Sequence, residues 1–126
     1  MNWYKISLGI RSNDIHEYIE HAETVCYKYP QKWGDCHKIN STVAAWLNEK
    51  TGSSRFKAIQ IKAFLEGEVD DDGKMTDSPH HVVVYDTETK EIKDYSMTLD
   101  YPMVDWEYLG DLSRDVDNNL LRLLRE

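Results

Sequence analysis

The stretch Trp33-Gly34-Asp35-Cys36-His37-Lys38-Ile39-Asn40 constrains this chain most, because it opens a helix whose single apolar face has to be covered by something else. Asp35 is a residue type that suits a helix N-cap, Ile39, Val43, Trp46 and Leu47 recur at spacings of three and four, and Gly52 supplies a C-terminal stop. The predicted helix puts the Cys36 thiol in its first turn. There the backbone N–H groups have no acceptor within the helix and the macrodipole is positive, and both favour thiolate over thiol. The same N–H groups can hold the oxyanion of an acyl-transfer intermediate. From these residues alone two readings stand: a nucleophile, or the buried structural thiol that cysteine commonly is.

The helix needs partners, and the flanking sequence offers them. After Ser12, Asn13 and Asp14, candidate N-caps, the residues Ile15, Tyr18, Ile19, Ala22, Val25, Cys26 and Tyr29 recur at helical spacing. Cys26 lies on that apolar stripe and reads as structural; His16 and His21 fall on the polar side and read as solvated. Tyr29-Pro30 ends the helix. Gln31, five residues before Cys36, reads either as a surface glutamine or as a second donor to an oxyanion, and Trp33 either walls the site or packs as core. Residues 1–11 alternate loosely and predict a short strand or extended arm.

Beyond Gly52 the pattern changes to strands. Residues 56–64 are rich in β-branched and aromatic side chains. An acidic loop follows at 65–74. Its Glu68, Asp70, Asp72 and Gly73 imitate the start of a calcium loop, but the twelfth position is Pro79 rather than a bidentate glutamate, so it reads as a solvated turn. The run His80-His81-Val82-Val83-Val84-Tyr85 predicts a strand, and a polar turn at 86–91 leads to a second strand at 92–96. If Asp86 pairs with Glu91, Tyr85 faces Ile92, Val84 faces Lys93 and Val83 faces Asp94. Side chains alternate faces, so His81, Val83, Tyr85 and Asp94 share one side and His81 and Asp94 become diagonal neighbours. A slip of one residue would select His80 instead. Residues 103–109 predict a strand or short helix, and 113–124 a helix with Val116, Leu120, Leu123 and Leu124 on the face that covers the sheet or the first helix.

Together these residues suggest a chemistry. A nucleophilic thiol needs a base to take its proton and a third group to hold that base in the right tautomer. Cys36 at a helix start, His81 at a strand start and Asp94 on the antiparallel neighbour are the catalytic candidates in those roles. The string Gly34-Asp35-Cys36-His37 leading into Ala44-Ala45-Trp46-Leu47, then a histidine-initiated apolar strand and an aspartate on the next strand, resembles the core of the transglutaminase-like superfamily. That group is related in architecture to papain-like cysteine peptidases. The resemblance covers roughly residues 33–98. It implies an α+β fold with the cysteine helix packed on an antiparallel sheet, and Cys36, His81 and Asp94 as nucleophile, general base and orienting acid. It further implies a thiol-dependent acyl-transfer enzyme (cysteine peptidase, protein-glutamine deamidase or transglutaminase type) acting on a peptide or protein amide, with no cofactor. The chain departs from the pattern in its shortness, its doubled histidine and the His37 that stands where transglutaminases proper commonly carry tryptophan.

Charge and composition narrow the alternatives. A chain of 126 residues fits one domain, and 40% hydrophobic residues with four Trp and eight Tyr suffice for a core. A net charge of −8 repels nucleic-acid phosphates and anionic membrane, so neither is expected as a partner. It leaves open a non-enzymatic acidic protein that uses the same fold to engage a basic partner. A zinc site from Cys36, His37, His80 and His81 is disfavoured, since adjacent strand histidines point to opposite faces. No apolar run approaches the about 20 residues of a membrane span, and the N-terminus lacks the apolar core of a signal peptide. The expected location is the cytoplasm, where Cys26 and Cys36 stay reduced.

Overall fold

Two helices carry the apolar stripes that the sequence gives them, and a sheet takes up the apolar faces. The structure is a computed structural model describing residues 12–31, 35–65, 80–96, 103–112 and 116–126. The arm expected at 1–11, the acidic loop after residue 65 with its calcium-like pattern, and Trp33 lie outside the described residues. Among those described, the order is α1 (Ser12–Lys28), α2 (Cys36–Thr51), β1 (Phe56–Leu65), β2 (His80–Asp86), β3 (Ile92–Lys93), β4 (Met103–Asp111) and α3 (Asn118–Arg125). The strands form one antiparallel sheet in the order β3-β2-β1-β4, so the fold is α+β.

Alternation along β1 and β2 divides the apolar side chains between two faces. Phe56 and Val84 join Ala22, Cys26, Ile39, Val43, Trp46, Leu47, Leu120 and Leu124 in a core between the sheet and the three helices. Ile59, Ile61, Ala63 and Val83 form a second cluster, with Tyr85, Ile92 and Trp106 against it. Among the described residues Trp46 is the largest fully buried side chain, meeting Tyr18 edge to face at 5.9 Å between ring centroids and the His21 ring at 5.3 Å. His21 is therefore not solvated as its helical position suggested. Its Nε2–H donates to Leu124 O at 2.9 Å, tying α1 to the end of α3.

Local chemistry fixes the connections. Gly52 closes α2 in the left-handed conformation, φ 61°, its N–H donating to Asn48 O. The Asn48 side chain then donates to Phe56 O and accepts from Phe56 N–H, both at 2.8 Å, setting the angle at which β1 leaves the helix. In the hairpin, Asp86 N–H donates to Glu91 O at 2.9 Å, and Arg55 grips the Asp86 carboxylate through two bonds of 2.8 Å. The register follows as expected, with Tyr85 opposite Ile92 and Val84 opposite Lys93.

Three further expectations are corrected, and the choice left open at residues 103–109 between strand and short helix is decided. The second hairpin strand stops at Lys93 instead of running to residue 96. Asp35 occupies the N-cap position of α2, but in a helical conformation with no side-chain cap bond. The last helix begins at Asn118, because Asp117 accepts from Asn119 N–H and Leu120 N–H as its N-cap, and Val116 is exposed ahead of it. That helix packs on α1 and α2, where Leu120 and Leu124 are buried. The segment from Met103 resolves as a strand, which pairs along β1.

Candidate active site

The early end of β3 makes the site possible. In the register of the hairpin, every second residue of β2 turns its backbone N–H and C=O toward β3, and Val82 would be the next to pair. With β3 ended, the edge of β2 is open there and the first turn of α2 lies against it. Val82 N–H donates to the Cys36 sulfur. Asn40, one turn further along α2, donates from Nδ2 to Val82 O at 2.9 Å. Helix and strand are thus joined edge-on through the strand's own backbone.

His81 precedes Val82 and stands opposite Ile61, on the sheet face away from α2. Its ring reaches the Cys36 thiol across the open edge and hydrogen-bonds to it. Nε2 lies 2.6 Å from Asp94 Oδ2, which leaves Nδ1 for the sulfur. The structure thereby brings together all three residues singled out in the sequence, and it takes His81 rather than His80. His80 is exposed at the start of β2.

Asp94 is held on both oxygens. Oδ2 meets His81, while Oδ1 accepts from Ser96 N–H at 2.8 Å, Ser96 Oγ at 2.6 Å and Asn40 Nδ2 at 3.1 Å. The His81 and Asp94 side chains are only 9% and 15% exposed, so their attraction is little screened by water. Cys36 is half-buried.

These contacts decide the charges. Burial pulls the Cys36 pKa up, but bonds from His81 and Val82 N–H and the imidazolium field outweigh it, leaving the thiol below its ordinary value. Burial likewise works against protonated His81. The bond to Asp94 and the pairing with Cys36 prevail, and His81 is pushed up to about 9. Asp94 is buried too, which favours its neutral form, but His81 and Ser96 hold its carboxyl below the usual range. The contacts therefore favour the charged forms side by side, a thiolate, an imidazolium and a carboxylate in a row. Cys26 is the contrast, sealed in the core with its thiol pushed up to about 12 by burial.

Gln31 does not have a free amide to offer an oxyanion. Its Nε2 donates to Cys26 O at 2.8 Å and Tyr95 O at 3.3 Å, tying the end of α1 to the segment that carries Asp94. Sequence reasoning missed Asn40 and Ser96. Both left a signal: Asn40 is a polar residue within the apolar stripe of α2, and Ser96 follows Asp94 at the spacing of a short side-chain turn. A concavity of about 430 Å³ lined by Glu23, Tyr27, Lys93, Asp94 and Tyr95 reaches Asp94 from the side of α1. Among the described residues no cluster of three or more His, Cys, Asp or Glu is disposed to hold a metal. None of the helices among them is long and apolar enough to cross a membrane.

Compared with family models, curated proteins and solved structures, the chain finds no significant match in any of the three.

Proposed function

We propose that this protein is a thiol-dependent acyl-transfer enzyme of the transglutaminase-like type, with the papain-like order of helix-borne cysteine, strand-borne histidine and orienting aspartate. The observation that carries the reading is the row Cys36 thiol, His81 imidazole, Asp94 carboxylate, with the sulfur at a helix N-terminus and the carboxylate 2.6 Å from the far ring nitrogen. Such a row has a natural sequence of events. The Cys36 thiolate attacks the carbonyl carbon of a peptide or protein amide, and the carbonyl oxygen takes the negative charge beside the N–H groups at the start of α2. The tetrahedral intermediate collapses as the His81 imidazolium gives its proton to the leaving nitrogen, so that an amine or ammonia departs and a thioester remains. Neutral His81 then takes a proton from water, or from an acceptor amine, which attacks the thioester and restores the thiolate. Asp94 keeps the ring in the orientation that points Nδ1 at sulfur throughout. The two free cysteines suit a reducing compartment such as the cytoplasm.

Alkylation tests this with no substrate known. Iodoacetamide should label Cys36 far faster than Cys26, with a rate still high at pH values where an ordinary thiol is protonated, and His81→Ala should abolish the advantage. Mass-spectrometric assay of glutamine-containing peptides would then separate ammonia release from chain cleavage. Slow, equal labelling of the two cysteines would instead favour the acidic binding protein that engages a basic partner.

A further inference from the structure

The register of the hairpin dictates what Val82 ought to meet. Asp86 N–H donates to Glu91 O and Val84 stands opposite Lys93, so the next hydrogen-bonded pair of the ladder would join Val82 to Tyr95. All four backbone groups of that pair are diverted. Tyr95 N–H donates to Asn40 Oδ1 at 2.9 Å and Asn40 Nδ2 donates to Val82 O at 2.9 Å, so a side-chain amide from α2 stands where one direct bond would be. Tyr95 O accepts from Gln31 Nε2, and Val82 N–H is turned to the Cys36 sulfur. Asn40 is completely buried, and its Nδ2 also lies 2.9 Å from Cys36 O and 3.1 Å from Asp94 Oδ1.

We propose that Asn40 is a positioning residue of this site: its amide splits the β2–β3 ladder at Val82 and Tyr95, which frees Val82 N–H for the sulfur and turns Asp94 toward His81. The inference rests on Cys36 being the nucleophile. One amide touches the three segments that carry the triad, namely the first turn of α2 through Cys36 O, β2 through Val82 O, and the end of the hairpin through Tyr95 N–H and Asp94. The carboxamide supplies both the donor that Val82 O takes and the acceptor that Tyr95 N–H needs. A leucine of the same size leaves Tyr95 N–H and Val82 O unpaired in the interior. Those two groups regain a bond by closing to the usual strand spacing of about 4.8 Å, and Val82 N–H then turns from the sulfur to Tyr95 O.

The test uses the full chain and two variants, Asn40→Leu and Asn40→Asp, the second keeping the acceptor for Tyr95 N–H but losing both donors. The readouts are the pH midpoint of Cys36 alkylation by iodoacetamide and the amide proton shift of Val82 through the same titration. Besides Val82 N–H, the groups facing the sulfur are His81 from β2 and Asp94 beyond β3. In the unsubstituted protein the Val82 shift should follow Cys36 ionisation. In either folded variant the midpoint should rise by about one pH unit, a roughly tenfold slower labelling below it, and Val82 should cease to follow. A folded variant with an unchanged midpoint overturns the proposal, and so does a Val82 amide that ignores Cys36 ionisation in the unsubstituted protein, a measurement that needs no variant. If the unsubstituted Cys36 labels like an ordinary thiol, the enzyme reading fails as well; a low midpoint that neither variant moves sinks the Asn40 role alone.

Discussion

At the scale of single residues, the proposed chemistry depends on one proton shared unequally between sulfur and imidazole. The signs can be worked out from the directions of the shifts. His81 is raised from 6.5 to about 9, so its contribution to stability is full below about 6.5 and is lost as pH rises through about 9. Asp94 is lowered from 3.8, so its contribution is present above about 4 and is lost as pH falls through the depressed value. Cys36 is lowered from 9.0, and the thiolate forms as pH rises through that lowered value. Activity should therefore be bell-shaped in pH, its acid limb set by the pair of Cys36 and His81 becoming fully protonated and its alkaline limb near 9 as His81 loses its proton. A flat profile between about pH 5 and 10 would contradict the ion pair. Asp94→Asn removes the charge that holds His81 up. The His81 ring midpoint, followed by NMR, should drop toward 6.5 and turnover should fall by at least about a hundredfold, whereas an unmoved midpoint would show that Asp94 does not set the ring's protonation.

At the scale of elements, two devices remote from the sulfur hold the fold together, and only the first bears on the site. The first is the hairpin turn, where Asp86 accepts from Glu88 N–H at 2.9 Å while gripped by Arg55, the two side chains being 15% and 18% exposed. Asp86→Ala breaks the turn and leaves the largely buried Arg55 with only the exposed Glu88 carboxylate, at 3.3 Å, as an ion-pair partner. It should cost about 2–3 kcal/mol in denaturant unfolding, and should loosen the register that places Asp94 beside His81. A loss below about 0.5 kcal/mol would mean that the turn is held elsewhere. The second device is Asp117, which caps α3 with Oδ1 and accepts the Tyr29 hydroxyl on Oδ2 at 2.7 Å. Asp117→Ala should cost about 1–2 kcal/mol while leaving the alkylation midpoint of Cys36 in place, since none of these bonds reaches the sulfur.

At the scale of the whole molecule, Trp46 joins α1, α2 and α3 in one core, and the sheet meets that core through Phe56 and Val84. Trp46→Ala should cost about 3–5 kcal/mol, a large part of the stability of a domain this size, with unfolding and loss of the rapid Cys36 labelling coinciding in one transition. Labelling that outlasted the core would show the site to be held by the hairpin and the first turn of α2 alone.

Much of this architecture was legible in the residues. The stripes of α1 and α2, the stop at Gly52 and the pairing of Asp86 with Glu91 follow from local periodicity and turn chemistry. That pairing gave the side of the sheet shared by His81 and Asp94. Sequence alone determined most of the elements and, once Asp86 is paired with Glu91, the meeting of His81 with Asp94, because periodicity and hairpin register act over a few residues at a time; the structure selected that register over the one that would have used His80. Only the tertiary structure decided that β3 ends after two residues, that Asn40 bridges the opened edge, that Gln31 is spent on backbone carbonyls and that His21 lies against Trp46. These contacts join side chains to backbone groups tens of residues away, where many pairings fit the same local pattern and only the packing of α2 against the edge of β2 selects one.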